Sequence, residues 1–172
     1  MVKRRNAVNY ENMSLAVANL LANAAGSTST YEISTMRFGN GGTSIDGVGA
    51  VTYKATNTNS ASGALYNQTH SQTVDDAITG SALNSVTASH TTPNTYSDVI
   101  TTCTLDYNIP AGQDLTDTGT DMNGAYVFDE LALYTANNDL LTHVVFHPVQ
   151  KSANRKIQVV YTLRIRSSFA DL

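Results

Sequence analysis

The segments 126-YVFDELALYT-135, 140-LLTHVVF-146 and 155-RKIQVVYTLRIR-166 decide the fold. The last is the most regular. Ile157, Val159, Tyr161, Leu163 and Ile165 alternate with Lys156, Gln158, Thr162, Arg164 and Arg166, and only Val160 interrupts the polar row. Side chains of a strand alternate between faces, so this period of two predicts a strand with one buried face. Residues 126–135 predict another strand, in which the pair Asp129-Glu130 breaks the alternation and suggests a bulge. Asn137-Asn138-Asp139 reads as a hairpin turn. Leu140, Thr142, Val144 and Phe146 then share a face of the returning strand, which Pro148 is expected to end.

Working outward, Val99, Thr101, Cys103, Leu105, Tyr107 and Ile109 alternate until Pro110-Ala111-Gly112. Residues 31–38 form a further alternating run that stops at the turn cluster Gly39-Asn40-Gly41-Gly42. A weaker strand is predicted over residues 48–56. Residues 57–96, rich in Ser, Thr and Asn, read as a long polar excursion with a short helix or strand near 74–78. Before residue 27 the pattern changes. Met13, Val17, Leu20, Leu21 and Ala24 recur at steps of three and four, predicting a helix over 10–25 with Asn9 as N-cap and Gly26 as its stop. Residues 1–9 read as an extended arm. Strands joined by turns, with no alternation of strand and helix, predict a mainly β, antiparallel β-sandwich (residues 27–172) carrying one N-terminal α-helix and the arm (residues 1–26).

Composition narrows the classes of function. Charged residues make up 14% of the 172, against roughly 25% in average domains. The net charge of −4 argues against a nucleic-acid surface, which needs clustered cations. The one basic run near the start, Lys3-Arg4-Arg5, reads as a solvated tail. No segment approaches the roughly 20 apolar residues that span a bilayer. With one cysteine, Cys103, no disulfide forms within the chain. The expectation is a protein made in a reducing cytoplasm.

No pattern of catalytic residues stands out. Gly39-Asn40-Gly41-Gly42 resembles a phosphate-cradling loop, but a strand rather than a helix follows it, so a turn is the better reading. His143 and His147 have helical metal-ligand spacing, yet on a strand they lie roughly 13 Å apart. His70, Asp75 and Asp76 are close in sequence without further support. Asp129 and Glu130 are candidate paired carboxylates, with a bulge or an edge charge as the alternative. Cys103 has no neighbour in sequence that would activate its thiol. No cofactor or metal is expected.

The run Phe128-Asp129-Glu130-Leu131-Ala132-Leu133-Tyr134, with Leu140-Leu141 and Phe146-His147-Pro148-Val149-Gln150-Lys151, resembles small virion proteins of tailed phages. In that family an E-(I/L)-(G/A)-L-Y strand leads to a strand ending in F-x-P-(V/I)-x-K. Residues 157–165 are similar to the family's last strand. Residues 33–43, ending Gly39-Asn40-Gly41-Gly42-Thr43, are similar to its opening. Ala132 departs from the usual glycine, and the middle of the chain matches poorly. The resemblance implies a β-sandwich with an assembly role and no enzymatic activity: an adaptor in the neck, tail or baseplate that anchors fibres, located in the virion after assembly in the host cytoplasm. Other virion proteins and further copies of the chain are the implied partners, with no nucleic acid and no membrane. The candidate contact residues are Lys3, Arg4, Arg5, Met13, Val17, Leu20 and Leu21. Capsid decoration, a carbohydrate-binding module of a receptor-binding fibre and a hydrolase are the competing readings.

Overall fold

The clean alternation at the end of the chain is realised as a strand paired over its whole length. In the computed structural model, which describes residues 10–23, 30–57, 63–75, 83–113 and 126–166, the helix α1 (Tyr10–Leu21) precedes nine strands. These are β1 (Ile33–Gly39), β2 (Thr43–Ile45), β3 (Val51–Tyr53), β4 (Gln68–Thr73), β5 (Ser85–Ser89), β6 (Tyr96–Leu105), β7 (Val127–Thr135), β8 (Leu140–Gln150) and β9 (Ile157–Arg166). Every strand pairing is antiparallel. One sheet has the order β4-β1-β7-β8, a second β5-β6-β9, and β2-β3 is a separate hairpin. From Tyr96↔Arg166 to Leu105↔Ile157 the register between β6 and β9 never shifts.

The two large sheets close on a common core. Met36 and Phe38 of β1 and Phe128, Leu131 and Leu133 of β7 pack with Val99, Cys103 and Leu105 of β6. The apolar row of β9 packs against this core, as the alternation required. All nine residues of β7 are buried, because strands flank it on both sides and its two faces are both covered. The core of a β-sandwich with one N-terminal helix therefore stands as read. The arm over residues 1–9 lies outside the described residues.

Local departures have physical causes. The break in alternation at Asp129 and Glu130 does mark a bulge, but the extra residues sit on the partner strand. Phe128 pairs with Val149 and Glu130 with Val145, so β8 carries additional residues between them. Pro148 lies in that bulge, where its missing N–H removes no ladder bond, and β8 runs on to Gln150 instead of ending. A second shift, between Ile33 and Thr35, turns Ile33 to the same side as Met36 and Phe38. The weak strand expected over 48–56 is the three-residue β3, paired with β2, a strand the sequence reading did not give. The polar excursion contains two strands, β4 and β5, each at a sheet edge. Edge pairing draws on backbone groups, so Gln, Ser and Thr suffice in β4, while β5 adds only the short alternation Val86 and Ala88, which packs on the core.

The helix ends earlier than read. Asn23 takes φ +50°, a left-handed cap that asparagine tolerates, after Ala22 N–H bonds to Ala18 O and Asn23 N–H to Leu20 O. The proposed cap Asn9 and stop Gly26 lie outside the described residues.

Candidate functional site: a buried carboxylate pair and uncovered apolar faces

Asp129 and Glu130 are neither edge charges nor solvated. They sit on the central strand β7 with 2% and 0% exposure. Two buried carboxylates cost several kcal/mol unless donors surround them. The chain supplies those donors from its glycine loop. Asp129 Oδ1 accepts the Gly42 N–H at 2.9 Å, and its Oδ2 accepts Thr43 N–H at 2.8 Å and Thr43 Oγ1–H at 2.5 Å. Glu130 Oε1 accepts the N–H groups of Gly41 at 3.2 Å and Asn67 at 2.8 Å. Its Oε2 accepts Tyr66 N–H at 3.0 Å. The loop that reads like a phosphate cradle thus holds anions that belong to its own chain. Glycine is needed there on steric grounds: a Cβ on Gly39 would lie 2.5 Å from Glu130 Oε1, and one on Gly42 would lie 3.0 Å from Glu130 Cβ.

His143 completes the cluster. Its Nε2 is 3.0 Å from Glu130 Oε2 with both side chains fully buried. Its Nδ1 lies 2.9 Å from Asn57 N and accepts that N–H, so the ring proton sits on Nε2 and is donated to Glu130. A carboxylate–imidazole pair acts as a base only if the far ring nitrogen can reach a substrate or nucleophile. Here that nitrogen is already bonded. The cluster ties residues 41–43, 57 and 66–67 to β7 and β8, which is a structural task.

The other sequence candidates do not converge. His147 is exposed on β8, its Nδ1 3.4 Å from the Tyr53 hydroxyl, while His143 faces Glu130. His70 lies on β4 opposite Phe38. Its Nε2 is buried without a hydrogen-bond partner, and burial pushes its pKa below the usual histidine value. Asp75 is buried, and Asp76 lies outside the described residues. Burial pushes the Cys103 thiol up to about 12, which keeps it unreactive. Among the described residues no group of three or more acidic, His or Cys side chains is placed to hold a metal. Sequence reasoning singled out Lys151 only as part of a motif. It is buried, with Nζ donating to Ser152 O at 2.9 Å and Gln113 Oε1 at 3.2 Å, and burial lowers its pKa.

Of the candidate contact residues, Lys3, Arg4 and Arg5 lie outside the described residues. The remaining four are on α1, which the sheet turns in a particular way. Ser14, Ala18 and Ala22 are buried against β5, β6 and β9, with Ser14 Oγ 3.1 Å from Ser97 Oγ. Glu11 Oε1 meets His90 Nε2 at 3.1 Å and clamps the first turn. Small residues let the helix sit close to the sheet, and they take the buried face. Leu21 packs at its edge. The larger apolar residues Met13 (46% exposed), Val17 (36%) and Leu20 (49%) point outward. Reading the stripe by hydrophobicity alone picks the wrong face for the chain's own core, because Ser14 and the alanines carry little hydrophobic signal.

Comparison of the chain with family models, curated proteins and solved structures found no match.

Proposed function

We propose that the chain is a non-catalytic structural component of a tailed-phage virion, an assembly adaptor of the neck, tail or baseplate that joins other virion proteins. The observation that carries this reading is the outward row Met13, Val17 and Leu20 on a helix already docked to its own sheet. An apolar row that the chain's own core leaves uncovered marks a surface for a partner. Three features support it: the resemblance of residues 31–45 and 126–166 to small virion proteins, a surface low in charge, and a buried acid cluster whose hydrogen-bonding capacity is spent on its own loops. The test is to replace Met13, Val17 and Leu20 together by Ser in the encoding phage. The expected result is a chain that folds with an unchanged circular dichroism spectrum yet is missing from purified particles. Normal incorporation of the triple variant rejects the reading. Deleting residues 1–26 is a poorer test, since it also strips Ala18 and Ala22 from the core.

A further inference from the structure

We infer that α1 is latched to its sheet by a proton on His90, so that the outward row Met13, Val17 and Leu20 is held in place only while that ring carries both of its protons. This rests on the assembly reading above and names what regulates its surface. The helix has little apolar grip of its own. It buries Ser14, Ala18 and Ala22, with Leu21 at the edge. Its first turn is closed instead by a circuit of four polar contacts. Ser14 Oγ donates to Glu11 O at 2.9 Å. Ser14 Oγ and Ser97 Oγ lie 3.1 Å apart. Ser97 Oγ is 2.9 Å from His90 Nδ1, and His90 Nε2 is 3.1 Å from Glu11 Oε1.

Four contacts need four hydrogens. The two serine hydroxyls supply one each, and the Glu11 carboxylate and backbone oxygen only accept. The other two hydrogens must come from His90, one from each ring nitrogen, which makes the ring an imidazolium. Tyr96 O, 3.1 Å from Nδ1, also only accepts and adds to the same demand. A neutral ring brings one hydrogen, and one contact of the circuit then sets two lone pairs face to face. Water does not replace that contact, because the His90 side chain is only 10% exposed.

The charges around the ring leave this count unchanged. Glu11 is the one charged residue of α1, and hydrogen bonds from His90 and Thr92 hold its carboxyl below the usual carboxylate range. The strand β5 carries no charged residue. On β6, Asp98 takes the Arg164 guanidinium at 2.8 and 2.9 Å, and that guanidinium lies over the Tyr96 ring at 4.0 Å. Asp98, Arg164 and Arg166 alternate with the inward residues Ser97, Leu163 and Ile165, so they stand on the opposite face of the sheet from α1. Docking of α1 therefore takes up a proton at His90. The latch is complete at the acid side of the range in which histidine titrates, about pH 5–8, and is lost as pH rises through it. Glu11, with its lowered pKa, keeps accepting until the pH falls below the ordinary carboxylate range.

The test reads amide hydrogen exchange of the full chain at about pH 6 and about pH 8.5, either side of the histidine range. Protection of α1, corrected for intrinsic rates, is expressed relative to the β6–β9 ladder, which reports opening of the whole sandwich. Wild type is expected to lose about tenfold or more of this relative protection between the two conditions, since one linked proton allows up to about tenfold per pH unit. His90→Gln does not titrate and is expected to lose the pH dependence. Glu11→Gln supplies the fourth hydrogen from the other side, its amide donating to Nε2 of a neutral ring, so α1 is expected to stay protected at the higher pH. A wild type whose relative α1 protection is the same at both pH values, a His90→Gln variant that keeps the wild-type dependence, or a Glu11→Gln variant that loses α1 protection as wild type does overturns the inference. The adaptor reading is scored separately, by particle incorporation of the α1 triple variant, and survives or fails on that result alone.

Discussion

Glu130 illustrates how single residues hold this fold together. Its two oxygens receive three backbone N–H groups and the His143 ring, so the carboxylate is the acceptor on which two loops converge. In Glu130→Gln an amide NH₂ would face these donors and leave at least one of them buried and unsatisfied. The expected cost is about 3 kcal/mol, read as a lower urea midpoint with an unchanged slope. A loss below about 0.5 kcal/mol would show that the cluster is not structural. Acid should also weaken the fold, and the sign can be worked residue by residue. Burial lowers the pKa of His70. The hydrogen bond from His90 lowers Glu11, and that from Arg164 lowers Asp98. A group whose folded pKa is depressed contributes stability above its unfolded value and loses it as pH falls through the folded one. His70 therefore acts first, below about pH 6.5, and the carboxylates follow below about pH 4. Unfolding titrations of His70→Gln should show a flatter loss between about pH 7 and pH 5 than wild type. An unchanged slope would contradict the assignment to His70.

Among the elements, α1 separates packing from docking. Ala18 is fully buried against the sheet, so Ala18→Leu should overpack that contact and cost about 1–3 kcal/mol. Val17, one residue earlier, faces outward, and Val17→Ser should stay within about 0.5 kcal/mol of wild type in the same thermal melt. The opposite order would mean the helix is rotated. The elements also show what could be read from the sequence. The strands β6, β7 and β9 were legible because burial on one face, or on both, writes itself as alternation or as an unbroken apolar run. The edge strands β4 and β5 were not, since β4 pairs through backbone groups that every sequence has and β5 offers only Val86 and Ala88 as an apolar face. The course of β8 through Pro148 was hidden for a related reason: proline ends a ladder only where its N–H is needed, and a bulge removes that need. Asp129 and Glu130 looked like a possible site, while the loops that satisfy them lie 63 or more residues away along the chain. A long-range partnership of that kind leaves no local signal. Which face of α1 meets the sheet was not legible, because alanine and serine define its buried face.

The molecule as a whole is a β-sandwich whose buried acid cluster is satisfied by its own loops and whose surface carries exposed apolar side chains. Two outward features, the α1 row and Val48, lie on separate elements. Such a distribution suits a subunit held by several neighbours at once, which is what an adaptor between unlike parts of a particle requires. The most direct measurement of this claim is a cryo-EM map of the encoding phage in which the chain can be traced. The account predicts sandwich density in about six to eighteen copies at the neck, tail or baseplate, with Met13, Val17 and Leu20 covered by a neighbouring subunit. A map in which the chain is absent from the particle, or is present with that helix face open to solvent, would contradict it.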